Sequence, residues 1–332
     1  MKAALRDGIR RVGGAPAILI GAWLLLTAAS LPATVVLRGM LAAHLGESLA
    51  GETAALGVDH EWMEEFAAQA RGVGTSFRPT IIGFGAVLDN ASAFLDRDGR
   101  PLAVAGTTAA YLLLWLFLAG GILDRYARDR ATRASGFFAA SGTFFFRFLR
   151  LGAVMLAAYA FLFGPVHSWL FDTLWGRLTR DMTVERTAFF LRAALYLVFG
   201  LLLAACNLLF DYAKVRAVVE DRRSMLGALA AAVRFVRTYP SAVAGLYAAD
   251  FLLYLAAAAI YALVSPGAGR GALVWLAVAA GQAYVVARLW VKLVFWASEI
   301  ALFQSRLAHA AYVAAPEPRW PESPAAEAIL KT

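Results

Sequence analysis

Ionisable residues inside long apolar stretches are the residues of this sequence that could do chemistry. Asp250 lies about ten residues past Pro240, which at 1.5 Å per residue is roughly 15 Å into the apolar stretch 241–264. If that stretch crosses a bilayer, Asp250 lies near the midplane. A carboxylate at that depth must be paired, protonated or in contact with water. Asp250 is therefore the first candidate functional residue.

Three further charged residues follow one face of the last apolar stretch. Arg288, Lys292 and Glu299 are spaced by four and seven residues, which places them on the same side of a helix. Arg288 can extend toward the nearer membrane surface or toward Asp250. We predict an intramembrane polar cluster of Asp250, Arg288, Lys292, Asp211, Asn207 and Glu299. Its members either form ion pairs between helices or line a path for a substrate or proton.

Arginines in two segments between apolar stretches form a second candidate site. The segments 124–150 and 211–238 each open with an aspartate and end in an Arg-Phe-x-Arg pattern. On a helical wheel, Arg223, Arg234 and Arg237 share one face, and an apolar face lies opposite, which predicts an amphipathic helix at a membrane surface. The phenylalanine-rich first segment suits a similar insertion. Either the two helices anchor the protein, or they bind lipid headgroups through Arg147, Arg150, Arg223, Arg234 and Arg237.

The sequence has no pattern typical of a metal enzyme or a nucleotide-binding enzyme. It contains neither a His-Glu-x-x-His metal motif nor a glycine-rich phosphate loop with lysine. Its single cysteine, Cys206, cannot form an internal disulfide bond. We therefore predict no metal, no cofactor and no enzymatic activity.

The elements that carry these residues are predicted to be membrane-spanning helices. Of the 332 residues, 61% are hydrophobic and 16% charged, whereas a soluble domain carries about 25% charged residues. Several apolar stretches exceed the roughly 20 residues that a helix needs to cross a bilayer. The sequence predicts an all-α, polytopic transmembrane bundle in one domain, residues 1–312. The six predicted spans are residues 15–37, 101–123, 151–171, 188–210, 241–264 and 272–296.

Two segments are predicted to lie outside the membrane. Residues 41–100 are rich in acids and form the expected exoplasmic segment, with a short polar helix at 61–70. Residues 79–95 are more apolar but are interrupted by glycine and polar residues, so they are expected on the membrane surface or dipping into the bundle. Residues 313–332 contain four prolines and are predicted to be a disordered cytoplasmic tail.

The distribution of basic residues predicts the orientation. Arginines and lysines concentrate in segments 124–150 and 211–238, and the connections on the other side carry fewer. The positive-inside rule then places both termini in the cytoplasm of a bacterial inner membrane. It also accounts for the net charge of +8 without a nucleic-acid partner. The first stretch could be a secretory signal, with small residues at 28–30, but its length favours an uncleaved span.

Residues 188–312 carry a loose similarity to known membrane proteins. The relevant segments are Asp211-Tyr212-Ala213-Lys214-Val215-Arg216, Glu220-Asp221-Arg222-Arg223 and Arg234-Phe235-Val236-Arg237. This region resembles bacterial multi-spanning families of unknown function and the membrane domain attached to some glycerophosphodiester phosphodiesterases. The resemblance implies a helical membrane bundle in a lipid-related setting. The sequence contains no phosphodiesterase domain, so the resemblance implies no catalytic residue.

Two functions are compatible with these features. The first is a non-catalytic inner-membrane protein, either an accessory or scaffold subunit or an envelope-lipid-associated component. Its expected partners are membrane lipids and other membrane-protein subunits. The alternative is a transporter of a small solute or lipid that uses Asp250 with Arg288 and Lys292. A water-accessible cavity that reaches Asp250 would favour the transporter.

Overall fold

The computed structural model describes residues 2–46, 48–54, 59–78, 83–99, 102–266 and 272–307. Within these ranges every regular element is helical, and six helices are long and apolar enough to span a membrane. The predicted all-α polytopic bundle is therefore confirmed. The predicted disordered tail, residues 313–332, lies outside the described residues.

The helices follow one another with short connections. In chain order they are α1 (Lys2–Gly13), α2 (Pro16–Gly46), α3 (Gly51–Ala54), α4 (His60–Gln69), α5 (Phe84–Leu95), α6 (Ala105–Arg128), α7 (Ala134–Phe161), α8 (Trp175–Thr179), α9 (Glu185–Val219), α10 (Met225–Thr238), α11 (Pro240–Val264) and α12 (Ala272–Arg306). Two π-helical turns, Leu162–Val166 and Trp169–Leu174, extend α7 toward α8. The six candidate spans are α2, α6, α7 with its extension, α9, α11 and α12.

Segment 134–150 differs from its predicted form as a separate interfacial helix, because it is the first half of the long helix α7. It packs along α6 at Gly120 and Gly121. A Cβ atom at Gly121 would lie 2.5 Å from the Ser141 hydroxyl oxygen, so only glycine allows this approach. Phe144 and Phe148 of this segment are buried in the bundle, whereas Phe138 and Phe146 stay exposed.

Helix α10 is the predicted amphipathic helix of the second basic segment. Ser224 caps its start by accepting a hydrogen bond from the Gly227 backbone at 3.2 Å. Ala228, Ala231 and Ala232 are completely buried, and α10 packs against α9. Small side chains allow this close packing, so the innermost apolar face of α10 contacts protein. Arg234 and Arg237 of α10 are exposed.

The two basic segments share one turn geometry. Asp129 follows α6 with a φ of 47°, and Asp221 follows α9 with a φ of 46°. Aspartate tolerates this left-handed conformation better than most non-glycine residues. An arginine from another helix holds each turn, because Arg10 lies 2.5 Å from Asp129 and Arg147 lies 2.6 Å from Asp221. The sequence similarity between the two segments is therefore matched by similar backbone turns.

Burial is concentrated at the end of the bundle where α6, α9 and α12 finish and α7 and α10 begin. We call this the packed end. Its buried side chains include Ile122, Tyr126, Phe148, Tyr212, Leu293 and Ile300. The opposite end is more loosely packed, and α2 buries only Ala22 among its described residues. The exposed apolar side chains of the spans require lipid or another protein to cover them.

The N-terminal helix α1 is part of the packed end. Gly8 lies against Ser298 of α12, and a Cβ atom at Gly8 would lie 2.7 Å from the Ser298 backbone nitrogen. Further along the chain, Trp23 donates a hydrogen bond to Gln282 at 2.9 Å. These two contacts show that α1 and α2 run antiparallel to α12.

A small cluster at the far end of α2 begins the predicted exoplasmic segment. Trp62, Met63 and Phe66 of α4 are buried against the last turns of α2, and Trp62 Nε1 donates to His44 Nδ1 at 2.9 Å. The polar helix predicted at 61–70 is thus present as α4. Asp59 caps it, and hydrogen bonds from Thr53 and the Trp62 backbone lower the pKa of that carboxyl.

Candidate functional site

Asp250 is completely buried where α11 packs against α12. Its Oδ2 atom lies 2.9 Å from the Ser298 hydroxyl oxygen, and its Oδ1 atom has no hydrogen-bond partner among the described residues. The same hydroxyl lies 2.9 Å from the Phe295 carbonyl oxygen. Nothing in the sequence points to Ser298, because a single serine in an apolar helix is common and carries no signal of its own.

Asp211 is a well-partnered carboxylate at the packed end of α9. Its Oδ1 atom lies 2.5 Å from the Lys214 ammonium and accepts from Trp296 Nε1 at 3.3 Å. Its Oδ2 atom accepts from Asn207 Nδ2 at 3.1 Å. Asn207 and Asp211 are therefore neighbours, as their four-residue spacing predicts. These contacts indicate that Asp211 forms a structural ion pair with Lys214.

Glu299 is the most unusual member of the cluster. Its side chain is 2% exposed, and neither carboxyl oxygen has a hydrogen-bond partner in the part of the chain that the structure describes. The charged groups that act on it are Asp211, Asp250 and Lys214. The structure thus brings three carboxyl groups into one buried region with one lysine beside them.

Arg288 and Lys292 have aromatic partners instead of Asp250. The Lys292 ammonium lies 3.7 Å from the centre of the Trp115 ring, and the Arg288 guanidinium lies 5.7 Å from that of Tyr284. Both are cation–π contacts. Lys292 still acts electrostatically on Asp211. The predicted cluster therefore divides into a buried acid group and two cations held by aromatic rings, and the structure shows no Asp250–Arg288–Lys292 unit.

The buried acids are not arranged as a metal site. Among the described residues, no group of three or more His, Cys, Asp or Glu side chains is placed to hold a metal ion. The cluster can hold charges or protons, and its geometry offers no coordination sphere of protein ligands.

The arginines predicted to contact lipid fall into two groups. Arg147 is engaged within the protein, because it binds Asp221 and lies over the Phe144 ring. The other four side chains are exposed and have no ion pair within the described ranges: Arg150, Arg223, Arg234 and Arg237. We call Arg234 and Arg237 of α10, together with Arg223 just before the cap Ser224, the α10 arginine face.

An apolar groove lies between α7, α9 and α10. Its volume is about 330 Å³, and its walls include Val154, Ala158, Cys206, Leu209, Leu229 and Val233. Arg150 precedes Val154 by one helical turn on the same face of α7. The groove is therefore apolar along its length, and toward the packed end it is followed by Arg150, whose Nε donates to the Phe146 carbonyl oxygen at 3.3 Å. A phospholipid combines an apolar chain with a charged head in the same order.

Known proteins do not supply a family for this chain. No family model matches it, and neither does any curated protein or solved structure. Its function must therefore be argued from the geometry of the acid group, the apolar groove and the α10 arginine face.

Proposed function

We propose that this protein is a non-catalytic component of a bacterial inner membrane, an accessory or scaffold subunit that binds anionic phospholipid at its packed end. One observation carries the proposal. Arg150 lies one helical turn before Val154 in the wall of an apolar groove between α7, α9 and α10, and neither Arg150 nor the α10 arginine face has an ion-pair partner among the described residues. The packed end, with both termini, lies in the cytoplasm.

The chemistry of the two parts fits one ligand. A guanidinium group donates two parallel hydrogen bonds to a phosphate, which suits a lipid headgroup better than a lysine would. Each basic side chain near an anionic leaflet contributes about 1 kcal/mol. In the groove, Val154 and Ala158 follow Arg150 along one helical face and provide the surface for an acyl chain. A lipid bound there would place its phosphate at Arg150 and the α10 arginine face.

The exposed apolar surface supports a role that depends on neighbours in the membrane. On α9, Phe189, Phe190 and Leu201 are each more than half exposed. Acyl chains cover such side chains in a protein that stands alone, and the spans of another subunit cover them in a complex. The loosely packed end is therefore the surface proposed for other membrane-protein subunits.

The charge component of this proposal is tested with a triple variant. Arg223→Gln, Arg234→Gln and Arg237→Gln together remove the α10 arginine face but keep side chains of similar length. Binding of phosphatidylglycerol over phosphatidylcholine is measured by native mass spectrometry of the purified protein. At about 1 kcal/mol for each arginine, the preference should fall by about 100-fold.

The matched control carries Arg177→Gln, Arg180→Gln and Arg186→Gln, three exposed arginines in and after α8 and at the start of α9. It changes the net charge equally and should keep the lipid preference. An equal loss of preference in both triple variants would contradict a specific site at the packed end.

The groove itself is tested with a bulky substitution. Ala158→Trp fills the groove without changing any charge, so the number of lipids retained through purification should fall. Leu156→Trp is the control, because Leu156 is 70% exposed on another face of α7. If Ala158→Trp left the number of retained lipids unchanged, the groove would not be the acyl-chain site. The lipid contact would then be limited to the arginines.

A further inference from the structure

We propose that Asp250 and Glu299 form a proton-binding site, in which both side chains are held as neutral carboxylic acids inside the bundle. The ligand is the proton, and the site uses none of the residues that carry the lipid proposal. Asp250 on α11 and Glu299 on α12 are both almost completely buried.

The two contacts of Ser298 can both be hydrogen bonds when Asp250 carries a proton. A serine hydroxyl has one hydrogen, and the Ser298 oxygen lies 2.9 Å from both the Phe295 carbonyl oxygen and Asp250 Oδ2. A carbonyl oxygen can only accept a hydrogen bond, and a serine in a helix commonly donates to the carbonyl one turn earlier. When Ser298 donates to Phe295, the contact with Asp250 is a hydrogen bond only if the acid donates to the hydroxyl. A protonated Asp250 therefore satisfies both contacts at once.

The burial of the Glu299 carboxyl group is a second, independent observation that supports the proposal. Both of its carboxyl oxygens are buried and have no hydrogen-bond partner among the described residues. An ionised carboxylate in that position would have lost its hydration without gaining a replacement, which is among the most unfavourable arrangements in a protein. The neutral acid has a far smaller desolvation penalty.

The charges on the surrounding elements do not neutralise the acids. Lys214 of α9 forms an ion pair with Asp211 at 2.5 Å. Lys292 of α12 lies over the Trp115 ring of α6. From α1, the residue in contact with Ser298 is the uncharged Gly8. The other titratable groups acting on the acids are the hydroxyls of Tyr212 and Tyr247. Neither lysine forms an ion pair with Asp250 or Glu299 among the described residues.

A metal ion would need a different arrangement. Oxygen ligands surround a bound cation from several sides, and the described carboxyl groups form no such set. The unpartnered oxygens of Glu299 and the shared hydroxyl at Asp250 are both explained by protons.

Infrared spectroscopy tests the proposal directly. A protonated carboxylic acid shows a C=O stretching band that a carboxylate lacks, so the purified protein at pH 7 should show this band. Asp250→Asn and Glu299→Gln should each remove one component of it. In the unsubstituted protein, the band should weaken as the pH is raised. The absence of any protonated-acid band at pH 7 in the unsubstituted protein would overturn the proposal, whatever the variants do.

Asp211→Asn is the matched control, because this acid is paired with Lys214. It should leave the infrared band intact but lower the midpoint of thermal unfolding by about 5 °C or more, since it leaves a lysine without its partner. Glu299→Gln should change the midpoint by less than about 2 °C, because the amide replaces a neutral acid of the same shape. Sodium or potassium ions that removed the band and raised the midpoint would show a cation site and reject the proton.

Discussion

At the scale of single residues, the hydrogen bond from Tyr196 to Asp96 predicts a defined pH dependence of stability. This bond, with a further one from Ser92 at 2.9 Å, lowers the pKa of Asp96, although partial burial opposes the shift. A carboxyl whose pKa is lower in the folded state stabilises the fold above its ordinary pKa of about 3.9, and this contribution is lost as the pH falls through the folded-state pKa. Tyr196→Phe should therefore lower the thermal midpoint at pH 7, and the deficit should shrink below about pH 4.

The control for this prediction is Tyr111→Phe, which removes an exposed hydroxyl from α6. It should leave the thermal midpoint unchanged at every pH. A deficit of Tyr196→Phe that was equal at pH 3 and pH 7 would mean that the tyrosine acts by packing against Phe171 and not through the ionised Asp96.

Single residues also show which parts of the candidate site the sequence could predict. Asp250, Asp211 and Glu299 stand out because acids are rare inside apolar helices. Their partners could not be predicted in the same way, because the contact between Asp250 and Ser298 depends on how α11 and α12 pack. Arg288 was given two possible directions, and its contact with Tyr284 lies outside both. Helical spacing fixes which residues share a face, but it does not say what another helix presents to that face.

At the scale of elements, the contact between α1 and α12 predicts that replacing Gly8 with a larger residue destabilises the protein. A Cβ atom at Gly8 would lie within 3 Å of three backbone and side-chain atoms of Ser298, so Gly8→Leu must push α1 away from α12. We expect a loss of about 1–3 kcal/mol in stability, the usual range for overpacking. Faster proteolysis at the arginines of α1 would report the displacement, and a thermal midpoint would report the stability.

Gly13→Ala provides the comparison within the same helix, because a Cβ atom at Gly13 meets nothing within 4 Å. This substitution should be neutral or slightly stabilising, since alanine favours a helix over glycine by up to about 1 kcal/mol. If both variants were cleaved equally fast, α1 would not be held by its contact with Ser298.

The elements also separate what hydrophobic patterns predict from what they miss. The predicted spans 188–210, 241–264 and 272–296 each fall within one helix, α9, α11 and α12 respectively, because each is a long apolar stretch. The long start of α7 was missed, because arginines among its phenylalanines suggested a surface helix. Gly120 and Gly121 of α6 provide the close surface on which this segment packs, and nothing within residues 134–150 reveals it.

At the scale of the whole molecule, the two ends of the bundle differ in packing. The packed end buries large side chains and holds its turns with the ion pairs at Asp129 and Asp221. Exposed apolar side chains such as Leu197, Leu263 and Trp275 lie along the spans away from this end. Stability should therefore reside in the packed end, while the opposite half is free to contact lipid or other subunits.

This asymmetry leads to a prediction about membrane orientation. Arginines at the turn after α6 and at the turn after α9 lie at the packed end, and the positive-inside rule retains such segments in the cytoplasm. A green fluorescent protein fused after residue 307 should therefore fluoresce, and alkaline phosphatase at that point should be inactive. Alkaline phosphatase inserted after Asp181, in the turn between α8 and α9, should be active. The opposite pattern at both positions would place the α10 arginine face outside the cytoplasm. The lipid site would then face the other leaflet, and the positive charges would have to be explained by a partner instead of by topology.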